Sequence, residues 1–293
     1  MEAKRFSTGI QNRLLIQRRF DMPDNFGPTD ENLINFYNRS YSLGEEKVFT
    51  FLAEELLAEE IKFVLQHYDF SQRTVLEVGC GSGRLASEIA EVSKVEYLGI
   101  DFSETAIKIC NTKNLGDGFK FQCLNVFDLD DSQSWDYVVA LGVLEHTADP
   151  LATLMKLKSL LNDGGKIILA VPHFLNPRGV IWMTLATLLR VPMSLSDRHF
   201  IHPWNMNGWA EALGMKCRQL TTVDSEWAFG DRLLQDFRKR IPNALRDAGY
   251  INDISTDDFF DYLQNLVSHV STDHGGGPLL EGATALYELT FQI

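Results

Sequence analysis

Basic charge is scarce in this chain. It has 27 Lys and Arg against 40 Asp and Glu, a formal net charge of -13 over 293 residues. That balance disfavours a nucleic-acid backbone as the main partner, since phosphates are held by clustered cations. One basic strip does occur, with Lys4, Arg5, Arg13, Arg18 and Arg19. It reads as a solvated arm, and the sharper reading is contact with an acidic partner or a membrane surface. Cysteine is scarce too: Cys80, Cys110, Cys123 and Cys217, with no CxxC pair among them. The spacing suggests neither a zinc site nor a disulfide frame, and no metal site is expected. Cys80 and Cys123 read as small apolar residues. Long apolar runs are missing as well. The run 179–189, bounded by Arg178 and Arg190, is too short to span a bilayer. It reads as a buried helix, a lid or the wall of an apolar pocket. The first residues carry no signal-type apolar core, so the expected location is the cytoplasm, with peripheral membrane contact left open.

What is present is a globular composition, 45% hydrophobic and 11% aromatic. The length suits one domain with insertions better than two domains. Residues 1–30 look irregular, and Glu31 to Tyr41 and Glu45 to His67 look helical. From Thr74 to Pro172 strand and helix patterns alternate, which implies a mainly parallel sheet with right-handed crossovers. Two insertions follow, at residues 173–203 and 224–282, the second with helices over Asp231 to Ala248 and Thr256 to Val270. The alternation from Ala285 to Ile293 is a strand by its period.

The most informative segment is Thr74 to Gly83, Thr-Val-Leu-Glu-Val-Gly-Cys-Gly-Ser-Gly. Val75, Leu76 and Val78 suit a strand covered on both faces. Gly79, Gly81 and Gly83 remove three β-carbons, so a ligand can approach the backbone. Leu85, Ile89 and Val92 then recur at helical spacing, and a helix opening there turns its free N–H groups to the ligand. Val95 to Ile100 makes the next strand, and Asp101 ends it. A carboxylate in that place can accept both hydroxyls of a ribose, through charge-assisted bonds of roughly 1.5–3 kcal/mol each. The spacing separates the cofactors. A dinucleotide turn has its third glycine three residues after the second; here Gly83 comes two residues after Gly81 and Arg84 fills the expected place. Glu77 would sit badly beside a pyrophosphate and well beside the ammonium group of a methionine. The pattern therefore favours S-adenosylmethionine, converted to S-adenosylhomocysteine.

At this point the chain resembles the class I S-adenosylmethionine-dependent methyltransferases. Val-Leu-Glu-Val-Gly-Cys-Gly-Ser-Gly is similar to their first motif and Leu-Gly-Ile-Asp to their second. Phe121 to Asp128, Trp135 to His146 and Leu161 to Pro172 resemble their third, fourth and fifth strands with the flanking loops. The likeness covers about residues 35 to 223 plus the last strand, and is nearest to the branch with the quinone-biosynthesis O-methyltransferases. It implies an α/β fold with a doubly wound, seven-stranded, mostly parallel sheet, N-terminal helices and two helical insertions. Residues 1–70 would cover the cofactor site, 71–223 with 283–293 would form the core, 173–203 would be a lid at the acceptor, and 224–282 a further insertion. It places Glu77, Gly79, Cys80, Gly81, Gly83, Asp101, Phe102, Asn125, Val126, Phe127, Leu141 and Tyr41 against the cofactor. Many relatives carry an aspartate where this chain has Asn125, and Asp128 is a rival for that contact. Tyr37 and Tyr41 would close over the cofactor, with core packing as the competing reading.

Methyl transfer is an in-line displacement, and positioning alone is worth up to roughly 7–11 kcal/mol of barrier. Oxygen acceptors of high pKa also need a base, for which histidine suits neutral pH. The candidates are His146 with its neighbour Glu145, His173 after strand five, and His199 and His202 in Ser196 to Trp204. For His146 the competing reading is a cap on the helix near Asp149 and Pro150. The expected activity is methyl transfer to a small-molecule or saccharide acceptor, most simply at oxygen, with nitrogen and carbon left open. Neither an Asn/Asp-Pro-Pro-Tyr/Phe stretch nor a Pro-Cys pair occurs, so DNA bases are not the expected acceptor. A nicotinamide-dependent oxidoreductase and a non-catalytic cofactor-binding protein are the rival readings. Oligomeric state is left open.

Overall fold

Strand β1 (Thr74–Val78) buries four successive residues, as a strand with both faces covered must. The computed structural model describes residues 29–43, 58–92, 94–191, 196–250, 256–270 and 282–292. Within them β1 lies between β2 (Glu96–Asp101) and β4 (Trp135–Leu141), parallel to both. β3 (Phe119–Cys123) extends the sheet beyond β2, and β5 (Leu161–Pro172) extends it beyond β4. β7 (Thr284–Phe291) is antiparallel to β5 and to the edge strand β6 (Met215–Val223). The order is β3-β2-β1-β4-β5-β7-β6. The expected seven-stranded, mostly parallel, doubly wound sheet is what the chain builds.

Alternation along β1 divides the core. Leu76 packs with Val138, Ile167, Leu157 and Met206 on one face. Val75 packs with Val139, Ile168, Leu85 and Ile89 on the other. Leu85 and Ile89 come from α3 (Arg84–Val92), the helix expected from its spacing. Burial of each such side chain is worth roughly 1.5–3 kcal/mol. The Gly164-Gly165 pair, expected as a turn into the strand, lies within β5 opposite a register shift between Trp135 and Tyr137. Gly164 has φ +78°, and a Cβ on Gly165 would meet the Trp135 carbonyl at 2.9 Å.

Helix α1 (Asp30–Leu43) and α2 (Glu59–His67) precede the sheet; the start of the expected second helix and the basic strip lie outside the described residues. Helices α4 (Glu104–Thr112) and α5 (Pro150–Ser159) make crossovers, and α7 (Pro203–Ala212) leads into β6. The two insertions share one core. Trp182 and Ala186 of α6 (Pro177–Leu189) pack with Leu234 and Phe237 of α9 (Asp231–Asp247) and Leu263 of α10 (Asp257–Val270). The short α8 (Ser225–Phe229) joins β6 to α9. Among the described residues no helix is long and apolar enough to cross a membrane. One local expectation fails: Cys123, read as a small apolar residue, is exposed on the edge strand β3. Trp204 is 52% exposed at the start of α7.

Candidate functional site

The carboxyl ends of β1, β2, β4 and β5 lie on one rim, where ligands of doubly wound sheets bind. After β1 the glycine turn takes positive φ at Gly79 (+72°), Gly81 (+51°) and Gly83 (+74°). Gly79 and Cys80 donate their N–H groups to the Ile100 carbonyl at 2.8 and 3.0 Å, which ties the turn to β2. A Cβ on Gly79 would collide with Val143, and one on Gly81 would meet the Tyr41 hydroxyl at 2.8 Å. Asp101, 7% exposed, accepts from Gly81 N at 3.0 Å through one oxygen and from Ser103 N at 2.8 Å through the other. Two backbone donors and the turn thus fix the carboxylate in place.

Helix α1 folds onto this turn. Asn38 accepts from the Ser103 hydroxyl at 2.7 Å, and Ser103 also caps α4 by accepting from Ala106 N at 3.2 Å. One turn along, Tyr41 stands over Gly81, and its ring stacks on Tyr37 at 6.3 Å between centroids. Tyr37 packs edge-on against Phe102 and His146 at 5.6 and 5.9 Å.

Glu77 is 5% exposed, and its carboxylate accepts from the Tyr97 hydroxyl. Burial pushes its pKa up to about 8, against the opposing effect of that bond. Asn125 spends its amide oxygen on Phe127 N at 3.1 Å, opening the short helical turn Val126–Asp128. Val126 is buried, Phe127 is 51% exposed, and Leu141 is half-buried at the end of β4.

The turn after β4, Leu144–His146, carries the second group. The Nδ1 of His146 lies 3.0 Å from the Ser196 carbonyl and 3.3 Å from Asp197 Oδ1. A carbonyl can only accept, so Nδ1 carries the proton. The Nε2 lone pair is then left to accept, and it meets the Tyr37 hydroxyl at 3.1 Å. Tyr37 is held well above its ordinary pKa by burial and then by Glu145 and Asp197, so it stays a donor. His146 does not cap α5; Asp149 does, accepting from Ala152 N at 3.0 Å. Glu145 is 3% exposed, and burial raises its pKa to about 7 while His146 opposes the shift. Its carbonyl accepts from Arg198 N and His199 N at 2.9 and 3.1 Å, which binds the insertion to β4.

The other histidines divide. His199 gives its Nε2 proton to the Thr147 carbonyl at 2.9 Å, which leaves Nδ1 as its basic nitrogen. His173 and His202 are 3% and 4% exposed, and burial lowers each to a pKa of about 4, so both are neutral. Among the described residues Glu145, His146 and Asp197 bring three metal-capable atoms within 4.8 Å of one another. A metal there would have to take a ring nitrogen from Tyr37 or from Ser196. Sequence reasoning missed Asn38, Ser196 and Asp197. Their partners lie far along the chain, and only Asp197, beside His199 in a polar stretch, gave any signal.

Residues 76–167 match a protein family described as a methyltransferase domain. The chain is 26% identical over 172 residues to a ubiquinone biosynthesis O-methyltransferase of Coxiella burnetii strain Dugway 5J108-111, covering 56% of this chain and 72% of that one. Its fold is similar to a chain of the Haloferax volcanii complex between the Trm112 methyltransferase activator and a methyltransferase, with TM-score 0.57, 17% identity and 88% and 98% of the two chains covered. It is also similar to the [4+2]-cyclase SpnF, with TM-score 0.58, 13% identity and 93% and 98% covered. These two likenesses show the fold alone. With the glycine turn, the domain match and the sequence match, the chain is an S-adenosylmethionine-dependent methyltransferase. It is an enzyme, and its cofactor is S-adenosylmethionine.

Proposed function

We propose that this methyltransferase acts on an oxygen of a small-molecule or saccharide acceptor and that Nε2 of His146 takes the acceptor's proton. The observation that carries the reading is the fixed tautomer of His146. Nδ1 is committed to Ser196, so the basic lone pair is on Nε2, where the acceptor hydroxyl would displace that of Tyr37. S-adenosylmethionine, when bound, supplies an activated methyl group that needs no further electrophilic help. The residues present fit it: a turn with three positive-φ glycines, and a carboxylate at the end of β2 anchored by two backbone donors. Asp101 would hold the ribose and the N–H groups of the turn the methionine end, with Tyr41 and Phe102 as covers. Asn125, Val126, Phe127 and Leu141 would border the adenine. Glu77 would meet the ammonium group only by giving up its proton and its bond from Tyr97.

In this reading residues 29–43 cover the cofactor and keep water from the transferred methyl group, while Tyr37 and Asp197 hold His146 in place. The name of the Coxiella relative supports oxygen as the methylated atom. Calorimetric titration with S-adenosylhomocysteine tests the cofactor site. Label transfer with His146→Ala tests the base, and an unchanged rate would remove His146 from the mechanism.

A further inference from the structure

Among the described residues, four buried side-chain atoms have no hydrogen-bond partner: Glu145 Oε2, His173 Nε2, Arg178 Nη1 and His202 Nδ1. Buried polar groups elsewhere are satisfied. Ser40 donates to Phe36 O, Thr153 to Asp149 O, and Asn176 to His173 O and Gly282 O, while Asp101 accepts two backbone bonds. Unmet hydrogen bonding is costly, and most proteins keep little of it. Here it is gathered on the turn after β4, on the loop after β5 with the start of α6, and on the segment leading to α7.

We take these four residues as one wall, linked by the contacts of their neighbours. The Glu145 carbonyl is bonded to Arg198 and His199, three residues before His202. Phe174, next to His173, packs edge-on against His202 at 5.7 Å. His173 also acts electrostatically on His202, and Asp197 acts on Glu145 and Arg178 alike.

The chemistry of the wall narrows its ligand. Arg178 can only donate, a neutral imidazole nitrogen donates or accepts, and a carboxylate accepts. A hydroxyl is the group that answers all three. An anion is disfavoured, because Asp236 already neutralises Arg178 at 2.8 Å and Glu145 and Asp197 stand nearby. A flat dihydric phenol offers two oxygens on one edge, too few for four atoms on three chain segments. Trp204 stacks on His202 at 4.3 Å and offers an exposed aromatic face beside the wall.

We propose that Glu145, His173, Arg178 and His202 recognise the acceptor, and that the acceptor is a neutral polyol such as a sugar ring with several free hydroxyls. The proposal rests on the methyltransferase reading, so the two are tested separately. Failure to bind S-adenosylhomocysteine in calorimetry would end that reading and leave nothing for this one to refine. For a protein that binds it, transfer of tritiated methyl is measured to a mixture of methyl glycosides of glucose, galactose, mannose and rhamnose, to catechol, and to cyclohexanol. Glycosides should exceed both other probes by at least about a hundredfold in kcat/KM, since a site built to bond hydroxyls rejects analogues that lack them. His173→Phe and His202→Phe should each raise KM for the glycosides at least about tenfold while cofactor affinity holds. Both should also raise the melting temperature of the unliganded protein, because each replaces an unmet polar atom by an apolar ring. Catechol as the best acceptor, no transfer to any glycoside, an unchanged KM, or a fall in melting temperature from nitrogens bonded to fixed water would each overturn the polyol assignment.

Discussion

The Tyr37 hydroxyl donates to Nε2 of His146 at 3.1 Å, across 109 residues of sequence. The bond joins the N-terminal helix, which stands over the glycine turn, to a histidine after β4 whose basic nitrogen is Nε2. It gives Tyr37 a positioning role. Tyr37→Phe should lower kcat by about two- to tenfold, the value of one hydrogen bond of roughly 0.5–1.5 kcal/mol. His146→Ala should cost about 10²- to 10⁴-fold, as expected for loss of a general base. S-adenosylhomocysteine affinity should be nearly unchanged in both. The check is kcat measured over pH. Tyr37→Phe should move the acidic limb of the profile, which loss of mere packing would not do.

Asp101 serves the turn before it serves any ligand. Its oxygens hold Gly81 N and Ser103 N at 3.0 and 2.8 Å. Asp101→Ala should therefore have two effects. Cofactor affinity should fall by roughly 2–3 kcal/mol through loss of charged ribose bonds. Folding stability should fall by roughly 1–3 kcal/mol because buried N–H groups lose their acceptor. Calorimetry and denaturant unfolding separate the two, and unchanged affinity in a folded variant would remove Asp101 from the cofactor site.

Buried ionisable groups give stability a defined pH dependence. Burial raises Glu77 to about 8 and Glu145 to about 7, from roughly 4.3 in an unfolded chain. Their contribution is full below about pH 4 and is lost as pH rises through the folded values. His173 and His202 are lowered to about 4 from roughly 6.5 unfolded, so theirs is full above about pH 6.5 and is lost as pH falls through 4. Between about pH 4.5 and 6.5 the two sets oppose each other and the slope is shallow. From about pH 6.5 to 8 only the carboxyls act, and stability should fall by about 2 kcal/mol. Urea unfolding at both pH values checks this, and Glu77→Gln should flatten the decline.

The legible parts of this structure are those written in local patterns. Apolar runs marked β1 and β2, helical spacing marked α3, and the alternation near the C-terminus marked β7. The glycine turn could be read because positive φ leaves few residue choices. What the sequence hid was pairing at a distance. Nothing near Glu77 announces that Tyr97 meets its carboxylate across the β1–β2 pair, where burial outweighs any pull toward solvent. Nothing near Asn125 announces that its oxygen caps its own turn before it meets a ligand. The two insertions look independent in sequence, yet Trp182 and Phe237 share one core with ring centroids 5.5 Å apart. Periodicity says which face of a helix is apolar and is silent about which helix will cover it.

The contact of Tyr41 with Gly81 offers a test of the cover itself. A Cβ on Gly81 would lie 2.8 Å from the Tyr41 hydroxyl, at a backbone φ of +51°. Gly81→Ala thus carries two costs. One is the left-handed conformation, about 1–2 kcal/mol for a residue with a β-carbon. The other is displacement of Tyr41, which the variant Tyr41→Phe removes by deleting the hydroxyl. In the Tyr41→Phe background the destabilisation by Gly81→Ala should fall, with a coupling of about 0.5–1 kcal/mol in a double-mutant cycle. The conformational part should survive in both backgrounds. Additive effects would mean that Tyr41 swings away from the turn at no cost, and the N-terminal helix would then cover the glycines more loosely than the geometry of Tyr37, Asn38 and Tyr41 requires.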